Sequence, residues 1–249
     1  MAGHNKWSKV KHIKGAIDAK RSQLFSKLSK EISIAARNGG DPDLNPRLRS
    51  AVTLARKQSM PSDNIDRAIK KGTGELGGAT IEELLYEGYG PGGVAFLIEV
   101  ATDNKNRSPA DIRTIFNKNN GNMGSVGSVA YLFDRKGEIR LPAAALGEDA
   151  MLEAALEAGA DDVISDADEH TVYTGVENLF EVANQLGKAG HESASQKLVY
   201  VPKTTITITD TAVAASLIKL TDALDDYDDT QNVYSNFDFT DEVLAALDA

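Results

Sequence analysis

The run Val94-Ala95-Phe96-Leu97-Ile98-Glu99-Val100 decides the fold class. It is predicted to be a mostly apolar β-strand, and a helix and a further strand are predicted after it in the sequence. Ser108-Pro109-Ala110-Asp111 is typical of a helix start, and the helix is predicted to run to about Asn119. Its buried side is predicted to consist of Ile112, Ile115 and Phe116. With a second strand predicted at residues 128–133, these elements form a β-α-β unit.

A matching unit lies near the end of the chain. Residues 204–208 alternate like a strand, and residues 232–237 are predicted to form the final strand. The helix between them has one apolar side, made of Val213, Leu217, Leu220 and Leu224. Two β-α-β halves can pair into one ferredoxin-like sheet. The stretch between the halves has the complete order β-α-β-β-α-β, so residues 135–203 are predicted to be an inserted domain.

The first seventy-odd residues are predicted to be helical. A helix face is formed by Ile17, Leu24, Leu28, Ile32 and Ala35, and Gly39-Gly40 ends that helix. Asn45 followed by Pro46 predicts the start of a second helix, and Gly72 the end of a third. The glycine-rich residues 73–78 are predicted to be a linker.

The predicted fold class is therefore α+β, with an N-terminal all-helical domain and two ferredoxin-like α+β domains, one inserted into the other. The predicted boundaries are 1–78 for the basic helical domain, 79–134 with 204–249 for the discontinuous domain, and 135–203 for the insert.

Charge is distributed unevenly along the chain. Residues 1–75 hold 16 Lys+Arg against 7 Asp+Glu, a net of +9, whereas the whole chain has a net charge of −10. Residues 138–249 hold 5 Lys+Arg against 23 Asp+Glu, a net of −18. A basic N-terminal region on an acidic protein indicates a polyanionic partner for that region.

Composition narrows the remaining classes of function. The chain has no cysteine, which excludes disulfides and thiolate chemistry and is consistent with a reducing cytosol. No apolar run approaches the roughly 20 residues of a membrane helix, and the N-terminus lacks the apolar core of a secretory signal. The four histidines are scattered, which argues against a transition-metal site. We expect no cofactor, no metal, no membrane contact and no catalytic residue.

Two local patterns resemble ligand sites but favour other interpretations. Gly88-Tyr89-Gly90-Pro91-Gly92-Gly93 matches G-x-G-x-x-G, yet the glycines precede a strand instead of opening a helix. A tight turn is favoured, with close approach of Gly88, Gly90, Gly92 and Gly93 to RNA as the alternative. Asp225-Asp226-Tyr227-Asp228-Asp229 lacks the glycine and terminal glutamate of an EF-hand loop, so a solvated acidic helix end is favoured.

The basic residues form the candidate site. Trp7 is favoured as a core anchor over a base-stacking residue, and the cations around it have no compensating acid before Asp18. The predicted nucleic-acid-binding residues are Lys6, Trp7, Lys9, Lys11, His12, Lys14, Lys20, Arg21, Lys27, Lys30, Arg47 and Arg49, with Gly3 and His4 in the arm. Such a surface gives affinity without sequence choice.

Several motifs then show a family resemblance. They include Met1-Ala2-Gly3-His4-Asn5-Lys6-Trp7, Asn45-Pro46-Arg47-Leu48-Arg49, Met60-Pro61-Ser62-Asp63-Asn64-Ile65, Thr102-Asp103-Asn104-Lys105-Asn106-Arg107, Gly127-Ser128-Val129 and Gln231-Asn232-Val233-Tyr234-Ser235-Asn236. With the glycine run, they closely resemble the YebC family across the whole chain. The resemblance implies a three-domain α+β protein without catalysis. It also implies either a DNA-binding transcriptional regulator or a ribosome-associated translation factor that relieves stalling on proline-rich nascent chains.

The preferred hypothesis is a cytoplasmic, monomeric translation factor that binds ribosomal RNA through the basic N-terminal domain. The alternative is a DNA-binding transcriptional regulator. The sequence shows no clear helix-turn-helix with a recognition helix, which argues against the alternative.

Overall fold

In the computed structural model, residues 17–247 are described, with the side chains of all of them except 17–20 and 145. The α-helices are α1 (Ile17–Ala36), α2 (Pro46–Lys57), α3 (Ser62–Gly72), α4 (Arg107–Lys118), α5 (Glu148–Glu157), α6 (Leu179–Lys188), α7 (Thr211–Asp225) and α8 (Asp241–Leu247). The strands are β1 (Glu82–Tyr89), β2 (Ala95–Thr102), β3 (Asn122–Met123), β4 (Phe133–Pro142), β5 (Asp162–Ser165), β6 (Glu169–Thr174), β7 (Ser195–Pro202), β8 (Ile206–Ile208), β9 (Thr230–Ser235) and β10 (Phe237–Phe239).

The chain folds into two compact units. The first contains the described residues up to Gly40, Met60–Phe133 and those from Pro202 onward, and the second contains Asp41–Ser59 and Asp134–Val201. The first unit thus has α1 and α3, and the second has α2. The mixed α+β class with an N-terminal helical region is confirmed, while the three predicted domain boundaries stay predictions.

The first unit is built on a four-stranded sheet in the order β3-β1-β2-β9. Strands β1 and β2 pair antiparallel along their full length, and β2 also pairs antiparallel with β9. Helices α4 and α7 cover one face with apolar side chains, since Phe96, Phe116 and Leu217 all belong to the same buried cluster. Helix α1 joins this unit through a smaller cluster of Ile34, Ile81 and Ala101.

Three elements of the first unit differ from the prediction. Strand β1 was not predicted, because Glu82, Glu83 and Glu87 interrupt its apolar pattern. Strand β8 does not join the main sheet but pairs with β10 in a separate parallel ladder.

The strand predicted at residues 128–133 is wrong: a loop and a short 3-10 helix (Ala130–Leu132) lie there, and β4 begins at Phe133. The Glu87 side chain accepts the N–H groups of Gly127, Val129 and Ala130, so these groups do not join a β-ladder.

The second unit has a sheet in the order β5-β6-β4-β7, with α5 following β4 and α6 following β6. This is the ferredoxin-like arrangement predicted for the insert. Its core includes Ile139, Met151, Val172 and Leu186, all buried. Helix α2 is attached to this unit, since Gln196 donates to the Ser50 hydroxyl over 2.7 Å.

Candidate nucleic-acid interface

Most of the predicted N-terminal site lies outside the described residues. This holds for Gly3, His4, Lys6, Trp7, Lys9, Lys11, His12 and Lys14. Lys20 belongs to α1 by its main chain, and its side chain lies outside the described part. Their role in binding therefore stays a prediction.

Two of the predicted phosphate ligands on α1 bind carboxylates of the same unit. The Lys27 ammonium lies 2.8 Å from Asp225 Oδ1, and the Lys30 ammonium lies 2.8 Å from Asp229 Oδ1. Lys30 also donates to the Asp228 carbonyl over 2.6 Å. Lys27 and Lys30 thus connect α1 to the end of α7 and to the residues after it, and their role in nucleic-acid binding stays a prediction.

Asp229 is the centre of this contact. Only 4% of it is exposed, and it accepts from Lys30, from the Thr102 hydroxyl over 2.9 Å and from the Arg107 guanidinium over 2.7 Å. Burial acts to raise the pKa of Asp229, but the hydrogen bonds from Lys30, Arg107 and Thr102 outweigh it and lower the pKa to about 2. Asp229 is therefore ionised at neutral pH.

The interpretation of residues 225–229 as a solvated helix end is thus wrong for part of the segment. Asp226 and Asp228 are exposed, but Asp229 is buried, and Tyr227 donates to Asp111 over 3.0 Å. Sequence reasoning missed this because the partners of Asp229 come from α1 and from the Thr102–Arg107 motif, both distant in the chain. The available signal in the sequence was an acidic segment, residues 225–229, in the same chain as the basic helix α1.

The remaining predicted cations have mixed surroundings. Arg21 is exposed, with its guanidinium 5.4 Å from the centre of the Phe25 ring. At the start of α2, the Asn45 side chain accepts from the Leu48 N–H over 3.1 Å, which confirms the predicted cap. Arg49 is exposed and donates to the carbonyls of Pro42 and Asp43, while Arg47 is half-buried. Arg21, Arg47 and Arg49 are all at least partly accessible to solvent.

A polar groove of about 1290 Å³ lies within the first unit, between α1, α3 and the Asp229 contact. Its cations are Lys30, Arg67, Lys71 and Arg107, and its acids are Asp103, Asp111, Asp226, Asp228 and Asp229. Because both signs of charge line the groove, it lacks the uniformly positive field that attracts phosphates. The groove is therefore not assigned to the nucleic-acid interface.

The glycine run forms the turn between β1 and β2, as favoured from the sequence. Pro91–Gly93 is a 3-10 turn, and Gly92 and Gly93 have φ values of 72° and 74°. At Gly88, an added Cβ would lie 2.6 Å from the Phe116 ring. Gly88 is therefore required by internal packing, and a strand follows the turn where a dinucleotide-binding loop would open a helix.

Glu87 organises a loop that sequence reasoning did not assign to the site. Burial acts to raise its pKa, but the hydrogen bonds from the N–H groups of Gly127, Val129 and Ala130 outweigh it, so the pKa lies below its ordinary value. The donor–acceptor distances are 2.6, 2.6 and 2.8 Å. No direct signal was present in the sequence, because strand β1 was not predicted and the Gly127 donor lies 40 residues further along the chain.

Within residues 17–247, no helix is long and apolar enough to cross a membrane. The described side chains also contain no group of three or more His, Asp or Glu residues placed to hold a metal ion.

Comparison with known proteins places the whole chain. Residues 5–75 match the family model described as the TACO1/YebC protein N-terminal domain, and residues 81–237 match the TACO1/YebC second and third domain. A "probable transcriptional regulatory protein" of Akkermansia muciniphila is 54% identical over 99% of this chain and 100% of its own length. A "probable transcriptional regulatory protein" of Desulfotalea psychrophila is 50% identical over 99% of both chains.

A solved structure supports the same placement. The crystal structure of a conserved hypothetical protein from Aquifex aeolicus superposes with a TM-score of 0.88 at 46% identity, covering 96% of this chain and 98% of that one. The matched models, the full-length relatives and the shared fold lead to one conclusion: the chain belongs to the TACO1/YebC family.

Proposed function

We propose that this protein is a non-enzymatic, cytoplasmic translation factor that binds ribosomal RNA through its basic N-terminal region and relieves stalling on proline-rich nascent chains. The observation that carries the proposal is the charge separation, with a net of +9 in residues 1–75 of a chain whose net charge is −10. The basic region attracts the RNA backbone, while the acidic remainder is repelled and orients the protein. The choice of the ribosome rests on the resemblance to the YebC family.

The proposal ranks the predicted phosphate ligands by their surroundings. We expect Lys27 and Lys30, which bind carboxylates in this structure, to contribute less to RNA binding than the cations of the N-terminal arm, Lys20, Arg21 and the two arginines of α2, Arg47 and Arg49. We expect relief of stalling to come from positioning of RNA and substrates, which needs no acid or base from the protein.

The test is cosedimentation with ribosomes. The double variant Lys9→Glu with Lys11→Glu should lose cosedimentation at physiological salt. Its plot of log affinity against log salt should be shallower, with a slope smaller in magnitude by about 2. The matched control is Lys188→Glu with Lys197→Glu, which reverses two exposed charges in the acidic part and should bind normally. Unchanged cosedimentation of the first variant would contradict the proposal.

A DNA-binding transcriptional regulator is the second candidate, favoured by the names of the relatives. Both functions involve a basic surface, so binding to DNA at low salt does not separate them. A defined operator that binds several orders of magnitude more tightly than random DNA at physiological salt would favour transcription. Ribosome profiling of a deletion strain tests the same choice. An increase in ribosome pauses at proline runs would favour the translation factor.

A further inference from the structure

The loop held by Glu87 differs from the rest of the surface in its charge. Residues 119–132 contain no Asp, Glu, Lys or Arg, although 26% of the whole chain is charged. The loop follows β3 and leads into the 3-10 helix Ala130–Leu132. Because this segment carries no charge, it can contact nucleic-acid bases or an apolar surface without burying a charged side chain.

The geometry of the loop is set by buried contacts at its base. Glu87 is 4% exposed and binds three loop N–H groups, and its carbonyl accepts from the Gly124 N–H over 2.8 Å. The Tyr89 hydroxyl donates to the Ser128 carbonyl over 2.8 Å. Burying a carboxylate costs free energy unless its oxygens accept hydrogen bonds. The donors here are N–H groups of the loop, so the buried Glu87 carboxylate holds the loop in one conformation.

The ordered loop presents apolar groups to solvent. Val126 is 95% exposed and Tyr131 is 63% exposed, while Val129 between them is fully buried and anchors the segment. Because Val126 and Tyr131 are mostly exposed, they contribute little to the core and are available to a partner. Because the loop is already ordered, a partner would bind it at little entropic cost.

We infer that residues 124–131 are a second contact to RNA, directed at unpaired bases. This inference rests on the proposed function. The aromatic ring of Tyr131 is suited to stack on a base, and Val126 is suited to contact a base face. The loop carries no cation and so adds no charge attraction for phosphates. It would complement the basic N-terminal region: that region supplies affinity, and the loop supplies base contact.

A photo-cross-linking experiment tests the contact directly. A benzophenone amino acid is placed at position 126 in the full-length protein, and the protein is irradiated on ribosomes. The matched control is position 156, because Leu156 is also an exposed apolar residue, at 53%, but lies on α5 beside the exposed acids Glu153 and Glu157. We expect cross-links to nucleotides of ribosomal RNA from position 126 and none from position 156.

A binding series tests the nature of the contact. Tyr131→Ala should weaken ribosome binding about tenfold, because base stacking is lost, and Tyr131→Phe should bind like the wild type. The salt slope should stay unchanged in both variants, since no counterions are released by stacking. A purely structural role for Tyr131 would instead change thermal stability with little change in affinity.

The outcomes separate the two proposals. If the wild type cosediments but position 126 cross-links only to a ribosomal protein or to nothing, the loop inference is overturned and the proposed function stands. An unchanged affinity of Tyr131→Ala also overturns the loop inference. If the wild type itself does not cosediment, the proposed function fails, and the loop inference fails with it.

Discussion

At the scale of single residues, two buried carboxylates connect segments of the chain that are far apart in sequence. Glu87 and Asp229 are each 4% exposed, and each accepts several hydrogen bonds from segments distant in the chain. Neither residue belongs to a sequence pattern with a recognised chemical role. Their importance depends on which donors the fold brings to them.

The lowered pKa of Asp229 predicts a pH-dependent stability. Its ordinary pKa is 3.8 and its pKa in the fold is about 2, so its contribution is complete above about pH 4 and is lost between about pH 4 and pH 2. Asp229→Asn should therefore lower the free energy of unfolding by about 1–2 kcal/mol at pH 6, allowing for the solvent-exposed Arg107. Urea unfolding of both proteins from pH 6 to pH 2 should show the difference shrinking in acid. A difference that is independent of pH would contradict this account.

Glu87→Gln tests the anchoring of the loop. An amide has one acceptor oxygen, and its NH2 group would face an N–H group of the loop, so a buried donor loses its partner. We expect the free energy of unfolding to fall by about 2 kcal/mol and amide exchange at residues 127, 129 and 130 to accelerate. Glu153→Gln, on an exposed position of α5, should change stability by less than about 0.5 kcal/mol. Equal effects of the two substitutions would rule out the anchoring role.

At the scale of elements, the glycine turn shows why a motif needs its context. Gly88 is required by the Phe116 ring and the Asn122 carbonyl, which an added Cβ would approach to 2.6 and 2.8 Å. Gly93 has no atom within 4 Å of an added Cβ, but its φ of 74° favours glycine. One turn thus uses glycine for two different physical reasons.

These reasons predict different costs for the same substitution. Gly88→Ala should lower the free energy of unfolding by about 2–3 kcal/mol through overpacking. Gly93→Ala should cost about 1 kcal/mol through backbone strain alone. Urea denaturation measures both, and ribosome affinity should follow neither change. If Gly93→Ala stays folded but loses ribosome binding, the alternative of close approach to RNA is favoured.

At the scale of the whole molecule, we expect charge separation to govern where RNA binds. Residues 138–249 carry a net charge of −18, and α5 alone presents the exposed acids Glu148, Asp149, Glu153 and Glu157. Repulsion from these charges is long-ranged at low salt and is screened beyond about 10 Å at 0.1 M salt.

Neutralising the four α5 acids to Gln or Asn should therefore raise affinity for random RNA severalfold at low salt. At 0.3 M salt the affinities of variant and wild type should converge. Filter binding at three salt concentrations measures this. A variant that binds like the wild type at every salt concentration would show that the acidic part does not act by repulsion.

Local patterns determined a large share of this protein. Local residue patterns predicted α2 with its Asn45 cap, α3 ending at Gly72 and the ferredoxin-like order of the insert. These features were predictable because they are set by residues close together in the sequence. The charge separation and the family motifs were also readable directly, since they are properties of composition and order.

Tertiary structure alone decided the contacts made across long sequence separations. Residues 128–133 have the apolar character of a strand, but Glu87 takes the N–H groups of Gly127, Val129 and Ala130, and a loop results. Lys27 and Lys30 have the pattern of phosphate ligands, and the fold brings Asp225 and Asp229, about two hundred residues away, within salt-bridge distance of them. Hydrogen-bond donors and charges take the partners that the fold brings near, and one-dimensional order does not specify those partners.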